Sequence, residues 1–301
     1  MQASHGLRPV FDDPNLVSHA GLPAALRLAE RAGLGTLLER CVSLPVPSLG
    51  LKARTILAGM LAGADDIDGM NILRAGGMSE LLGGVRAPST IGTFLRSFTH
   101  GHVQQLAAVH SRLLHGLTAV APGMLASEGL VLVDLDDTMR EAHGYQKQAV
   151  AYGYNKTKGL NAILATISTP TSAPVIATAG LRRGNIRSGA KAGWHATRAL
   201  TQATALAPGR QALLRADSAF CTHETVAAAR KTAAWFSITI PAWKNVTAAI
   251  SQIPENAWEA IKYPRAVWDD QARAWSRMQR SPRCRSPRSP RTARPSTCPA
   301  G

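Results

Sequence analysis

The pattern of hydrophobic and polar positions changes once along the chain, near residue 126. Before that point apolar residues recur every three or four positions, which is the spacing of amphipathic helices. The pattern is present in LPAALRLAERAGLGTLLERC, LKARTILAGMLAGA and HVQQLAAVHSRLLHGL. A further segment, APSTIGTFLRSF, places Ser89 where it would cap a short helix carrying Arg96. Residues 1–125 are therefore predicted to form a helical region, either a DNA-binding domain with a helix-turn-helix or a plain bundle.

After residue 126, short apolar strands alternate with helical segments. Strands are predicted in LVLVDLD, NAILATIS, APVIATAGL, ALLRAD and AWFSITIP, and helices in AKAGWHATRALTQATALA, THETVAAARKT and VTAAISQI. The first three strands follow one another through short turns, which favours antiparallel pairing. The later strands are separated by helices, which favours parallel pairing. The predicted fold class of residues 126–270 is α/β, a mixed sheet with packed helices.

The charge of the chain is unevenly distributed. The 301 residues have a net charge of +15 and a pI near 10.5, which is typical of proteins that bind a polyanion such as nucleic acid. Residues 271–301 contain eight Arg and no acidic residue, so the first 270 residues carry only about +7. This segment is rich in Arg, Ser and Pro and is predicted to be a disordered tail.

Cysteine use and hydropathy indicate a reducing compartment. The four Cys form no CxxC pair, so neither a disulfide framework nor a zinc knuckle is predicted. No run of 18 apolar residues is present, and MQASHGLRPVFDDP does not have the composition of a signal peptide. We expect a cytoplasmic protein that has no membrane partner.

The segment LVLVDLDDTMREAHG contains three aspartates at the end of an apolar strand, and it allows three interpretations. Asp134 to Thr138 fits DxDxT, the nucleophile motif of haloacid-dehalogenase-like phosphatases. However, no paired acidic motif follows it, and the next predicted element is a strand. In a second interpretation, Asp136 and Asp217 end two strands; if these pair in parallel, both carboxylates emerge at one sheet edge, where they suit Mg²⁺. In the third, each aspartate only caps the segment that follows it.

Several segments, in order, resemble DDE-class insertion-sequence transposases, and most closely the insertion-sequence group numbered 1380. They are LVDLDDT, AHGYQKQAVAYGYNKTKGLNAILAT, LRRGN and LLRADSAF. The resemblance covers about residues 10–275. It implies a ribonuclease-H-like core, Mg²⁺ dependence, inverted-repeat DNA as substrate, possible homo-oligomers and association with the bacterial nucleoid. It places the first two catalytic aspartates at Asp136 and Asp217, whereas Asp134 lies deeper in the sheet and Asp137 points to the opposite face.

A basic, aromatic loop between the first two predicted strands lies beside this site. Such a loop suits DNA phosphates and an exposed base, although a solvated surface loop has the same composition. Two arginines after the third strand are similar. The predicted DNA-binding residues are Lys147, Tyr154, Lys156, Lys158, Arg182 and Arg183. His143, His195 and His223 have no ligand spacing and are expected to be structural or exposed.

The resemblance also implies a third carboxylate, a Glu on a later helix, and no residue of this chain matches it. Glu255 and Glu259 come too early and in a different context. Residues 271–301 are interpreted as an out-of-frame translation of GC-rich DNA, because a one-nucleotide shift of one back-translation gives an ordinary β-prone sequence. A genuine basic tail is the other interpretation. The expected function is therefore that of a transposase whose catalysis is lost; the alternative is a DNA-end-binding protein that inhibits full-length copies.

Overall fold

The computed structural model describes residues 13–125, 128–143, 147–269 and 274–282. These residues form two compact units. The first contains the described residues before Gly129 together with Ser168–Thr178 and Ala205–Pro208, and the second contains the others. No helix in the described ranges is long and apolar enough to cross a membrane.

The first unit is mainly helical, as the spacing of its apolar residues predicts. Two apolar clusters stabilise it: one contains Leu73 and Met78, both 0% exposed, and the other contains Phe94 and Val109. The helices are α1 (Leu22–Arg31), α2 (Leu34–Cys41), α3 (Leu49–Leu61), α4 (Met78–Leu81), α5 (Pro88–Arg96) and α6 (His100–Val120), with 3₁₀ turns at Asp68–Arg74 and Pro122–Leu125.

The predicted short helix is α5, but its start differs from the prediction. Ala87 is the N-cap, and Ser89 lies inside the first turn. The reason is Pro88, whose ring fixes a helical φ at the first helical position and holds the preceding residue extended, at φ −64° and ψ 151°. One face of α5, with Ile91 and Phe94, is buried, whereas Thr93 and Arg96 are exposed.

The second unit contains most of a six-stranded mixed sheet, which confirms the predicted α/β class. The sheet order is β2–β3–β1–β5–β6, and β4 also pairs with β3. Its strands are β1 (Val131–Glu141), β2 (Ala151–Tyr152), β3 (Lys158–Ser168), β4 (Val175–Arg183), β5 (Ala212–Ala216) and β6 (Trp235–Ile238). Its helices are α7 (Ala192–Leu206), α8 (His223–Lys231) and α9 (Lys244–Ser251), with 3₁₀ turns at Ser218–Phe220 and Glu255–Ala257.

The connections explain the pairing within this sheet. A five-residue turn joins β2 to β3, and these strands are antiparallel. In contrast, β5 is parallel to both β1 and β6, and α8 provides the crossover from β5 to β6. The predicted parallel pairing of the later strands is therefore confirmed.

One face of the sheet is covered and supplies most of the core of this unit. Val131, Val133 and Leu135 of β1 are at most 2% exposed, and Leu214 of β5 is 0% exposed. The alternating residues of β1 on the opposite face remain partly or fully exposed. The buried side of α7 is rich in alanine, and Ala192, Ala196, Ala199 and Ala203 are at most 1% exposed, which lets this helix approach its neighbours closely.

The first strand is longer than predicted. It does not end at Asp136 but continues to Glu141, six residues beyond the point where its pairing with β5 stops. The extra length pairs on the β3 side, where Ala142 donates to the carbonyl of Lys158 at 3.1 Å. For Asp136, the interpretation as the cap of a following turn is therefore wrong.

The predicted disordered tail is wrong at its start. Ala274–Pro282 forms β8, which is antiparallel to β7 (Trp258–Asp269) in a separate two-stranded sheet. Ladder hydrogen bonds use backbone groups, so a sequence rich in Arg and Ser does not prevent them. Aromatic residues also occupy opposing positions, because Trp268 pairs in register with Trp275. The remainder of the predicted tail, residues 283–301, lies outside the described residues.

Candidate active site

Parallel pairing brings the two predicted site aspartates to neighbouring positions. The register of β1 and β5 ends with Leu135 opposite Ala216. The next residue of each strand is Asp136 and Asp217, respectively. The backbone of Asp217 is still extended, at φ −79° and ψ −179°, so the parallel course continues for this residue. This pairing is the one that the metal-site interpretation required.

Both carboxylates are exposed, and each is oriented by a backbone amide. Oδ1 of Asp136 accepts a hydrogen bond of 2.7 Å from the N–H of Asp137. Oδ1 of Asp217 accepts one of 2.9 Å from the N–H of Ala219 and caps the 3₁₀ turn at Ser218–Phe220. Asp217 is therefore a capping residue, as the third interpretation of the sequence proposed. In each case one carboxylate oxygen has no hydrogen bond from the described residues and can bind a ligand.

Asp134 and Arg215 form an ion pair on the same sheet face, one row before these carboxylates. The two residues are opposite each other in the register of β1 and β5. Nε and Nη2 of Arg215 donate to the two oxygens of Asp134 at 2.6 and 2.7 Å. This hydrogen bonding raises the pKa of Arg215. Both carboxylate oxygens of Asp134 are therefore bound by a guanidinium, so this side chain is not free to act as a phosphatase nucleophile.

Asp137 has a different environment from the other two aspartates. It lies on the covered face of β1, and its Oδ2 is 2.6 Å from Nη2 of Arg182, with both side chains less than 10% exposed. Nδ2 of Asn161 donates to the same oxygen at 2.8 Å, and the hydroxyl of Ser188 donates to Oδ1 at 3.2 Å. The predicted orientation of Asp137, away from Asp136, is consistent with this geometry.

The prediction that Arg182 binds DNA is consequently wrong. Its side chain is 7% exposed, so it cannot contact a phosphate. Burial lowers the pKa of Arg182, although Asp137 acts in the opposite direction. The strand alternation of β4 explains the difference between neighbours, because Arg183 points to the other face and is exposed.

The other predicted DNA-binding residues are on the surface. Lys147 and Lys156 are exposed, and Lys158 is exposed at the start of β3. Tyr154 is 84% exposed in the turn between β2 and β3. This hairpin turn is ordered by its backbone: the N–H of Gly153 donates to the carbonyl of Thr157 at 3.0 Å, and Lys156 has a positive φ of 61°.

The histidines do not contribute to the site. His143 and His223 are exposed, and His195 is 5% exposed in α7. Burial, reinforced by the charges of Arg182, Arg198 and Lys191, lowers the pKa of His195 to about 4. His195 is therefore a neutral core residue, and the expectation that these histidines are structural or exposed is confirmed.

A cation would find two adjacent carboxylates here, rather than three. Within the described residues, no group of three or more His, Cys, Asp or Glu side chains is arranged to hold a metal ion. Asp136 and Asp217 offer oxygen ligands, which suit Mg²⁺. Sequence reasoning missed Asn161 and Ser188, which surround Asp137. A polar Asn at the head of the apolar strand NAILATIS was the available signal.

The family of the chain follows from comparison with known proteins. A comparison with curated proteins gave no match. Residues 3–281 match the family described as transposase DDE domain, group 1. The matched span includes all of β1 and β5, with Asp136 and Asp217, and ends within β8. The chain therefore belongs to the DDE transposase domain family, group 1, a family of transposition enzymes.

Proposed function

We propose that the chain is an insertion-sequence transposase of the group numbered 1380, in which Asp136 and Asp217 are two of the ligands that hold divalent metal for phosphodiester hydrolysis and strand transfer at inverted-repeat DNA ends. In this copy catalysis is lost, because no described residue supplies the third carboxylate. The observation that supports this proposal is the parallel pairing of β1 and β5, whose register ends one residue before Asp136 and Asp217. The strand order also supports a ribonuclease-H-like core. In this order β1 lies between β3 on one side and the parallel strands β5 and β6 on the other.

The residues have distinct roles in this mechanism. Each aspartate presents an oxygen without a hydrogen bond from the described residues to the cation, while its other oxygen is held by a backbone N–H. Bound Mg²⁺ would lower the pKa of an attacking water or 3′-hydroxyl and offset charge on the leaving oxygen. The neighbouring pair of Asp134 and Arg215 neutralises a third negative charge, which reduces repulsion between the site and a phosphodiester.

The hairpin of β2 and β3 is the proposed DNA surface. Lys147, Lys156, Lys158 and Arg183 carry charges that suit phosphates, and Tyr154 has a free aromatic face for stacking on a base. These residues are exposed in the same unit that contains Asp136. Arg182 is not part of this surface.

A second candidate function is DNA-end binding without cleavage, in which the chain inhibits full-length transposase by forming mixed oligomers. It is supported by the carboxylate count, because no third acidic side chain completes the metal site within the described residues. Two carboxylates bind Mg²⁺ weakly and position it poorly. The helical unit, including the exposed face of α5, would then supply DNA contacts.

The test is a nicking assay on supercoiled plasmid carrying the DNA from both sides of the coding sequence, with Mg²⁺ or Mn²⁺. We expect no nicking by the 301-residue chain. If the chain does nick the plasmid, the activity should persist in Asp134→Asn, the control on the same strand, and disappear in Asp136→Asn and Asp217→Asn; nicking that persists in either of the last two would reject the assigned site. Salt-dependent binding of the ends without nicking is also expected of the second function, and nicking by the chain would overturn that function. The first function further requires divalent-metal binding that depends on Asp136 and Asp217.

A further inference from the structure

Arg182 is at the centre of a buried hydrogen-bond network that the proposed chemistry does not use. Its Nε and Nη2 donate to Oδ1 of Asn161 at 2.8 and 2.5 Å, and its Nη1 donates to the carbonyls of Ser188 and Ala190 at 3.0 and 2.6 Å. Together with the bond to Asp137, all five guanidinium N–H groups have acceptors. The network thereby joins β1, β3, β4 and the segment before α7.

Stability alone is a poor explanation for this arrangement. Transferring two charges out of water is costly, and apolar residues of similar volume often stabilise a core equally well. Such a network has a different advantage, because the planar guanidinium fixes several partners in one geometry. The residue whose position it fixes is Asp137, whose carboxylate accepts three hydrogen bonds from Arg182, Asn161 and Ser188.

The position of Asp137 controls the neighbouring carboxylate. Its backbone N–H donates to Oδ1 of Asp136 at 2.7 Å. Asp136 is exposed, and among the described residues no other hydrogen bond to its carboxylate is present. Beyond Leu135, β1 also lacks a pairing with β5. The hydrogen bonds to the carboxylate of Asp137 on the covered face therefore hold this part of β1, which has no strand partner on the β5 side.

We infer that Arg182 is a positioning residue for the metal site: through Asp137 it fixes the peptide that orients the carboxylate of Asp136. This role rests on the proposed function of Asp136 as a metal ligand. Partners that orient metal ligands from outside the coordination sphere typically change metal affinity by about 10- to 100-fold.

Mn²⁺ binding to the 301-residue chain, measured by electron paramagnetic resonance of the free ion, tests this role without depending on catalysis. Arg182→Lys keeps the positive charge and removes the planar fork. We expect about tenfold weaker Mn²⁺ binding by the folded variant. The matched control is Arg187→Lys, an exposed arginine in the loop before α7, which should leave the affinity unchanged. Circular dichroism establishes that each variant is folded at the measuring temperature.

The outcomes separate this role from the proposed function. Mn²⁺ binding that is unchanged in Asp136→Asn rejects the proposed metal site, and the positioning role with it. Binding that requires Asp136 but stays within twofold of normal in folded Arg182→Lys overturns the positioning role alone. If Arg182→Lys does not fold, Ser188→Ala decides: it removes one hydrogen bond to Asp137, and a measurable loss of affinity is expected. An unchanged affinity in that variant overturns the inference.

Discussion

Asp134, Asp136 and Asp137 are near neighbours in sequence, yet each has a different environment. Asp134 pairs with a half-exposed arginine, Asp136 is exposed, and Asp137 is buried against Arg182. Strand alternation accounts for the opposite orientation of Asp137. The difference between Asp134 and Asp136 has another cause, because only Asp134 is opposite an arginine on β5.

Removal of the aspartate from each of the two ion pairs is expected to change the free energy of unfolding by unequal amounts. Asp137→Ala leaves Arg182 buried without its counter-ion, and we expect a loss of about 3–5 kcal/mol in the free energy of unfolding. Asp134→Ala leaves Arg215 with a side chain that is 46% exposed, so we expect a loss below about 1 kcal/mol. Urea unfolding followed by circular dichroism measures both. Equal losses would mean that burial does not separate these pairs.

The lowered pKa of His195 predicts that the free energy of unfolding falls as the pH is lowered. The pKa of His195 is about 4 in the folded state and 6.5 for an unperturbed histidine of the unfolded chain, so between these values the unfolded chain binds a proton that the folded chain does not. Its contribution to stability is complete above pH 6.5 and is lost as the pH falls towards 4. Linkage gives a loss of about 2 kcal/mol between pH 7 and pH 5.

The measurement is urea unfolding at pH 7 and pH 5 for the wild-type chain and for His195→Gln. Other groups titrate in this range, so the informative quantity is the difference between the two proteins. A smaller loss in the variant identifies His195 as the source, whereas the same loss in both would assign the acid sensitivity to other groups.

At the scale of secondary-structure elements, the distance from a helical glycine to the neighbouring element decides whether a larger residue fits at that position. A Cβ at Gly193, near the start of α7, would be 2.7 Å from both Cβ and the carbonyl oxygen of Glu224 in α8. A Cβ at Gly50, near the start of α3, would meet nothing within 4 Å. The two positions therefore provide a matched comparison of the same substitution.

We expect Gly193→Ala and Gly50→Ala to change stability in opposite directions. The first forces α7 away from α8 and should lower the free energy of unfolding by about 1–3 kcal/mol. The second adds a better helix former without a clash and should raise it by about 0.5–1 kcal/mol. Thermal unfolding of both variants gives the signs. Stabilisation by Gly193→Ala would show that the α7–α8 contact is looser than described.

At the scale of the whole molecule, the exposed basic hairpin predicts salt-dependent DNA binding. Each phosphate contact of a lysine contributes about 0.9 to the slope of log K against log salt concentration for duplex DNA. The double variant Lys156→Gln/Lys158→Gln should therefore weaken binding and reduce the slope by about 2. Fluorescence anisotropy of labelled duplexes over a range of salt measures both quantities.

The control for this prediction is Lys231→Gln, at the exposed end of α8. It changes one charge outside the hairpin and should leave the slope unchanged. If the hairpin variant keeps the full slope, the DNA contacts lie elsewhere on the chain, and the exposed side of α5 becomes the next surface to test.

The sequence by itself determined the element types and identified Asp136 and Asp217 as the candidate site aspartates. Periodicity is a local property, so helical spacing and short apolar strands are readable without a partner. The helix crossover between β5 and β6 is also local, and it led to the correct expectation of parallel pairing. These features were sufficient to predict the mixed sheet and the edge at which Asp136 and Asp217 were expected.

Only the tertiary structure decided which charges are paired and which strands are extended. Arg182 and Arg183 are adjacent and chemically alike, but contacts with Asp137, Asn161 and the segment before α7 bury one of them. The continuation of β1 to Glu141 and the pairing of β8 with β7 likewise depend on partners distant in sequence. Burial and pairing are properties of the assembled chain, because a residue's exposure is determined by segments that its local sequence does not specify.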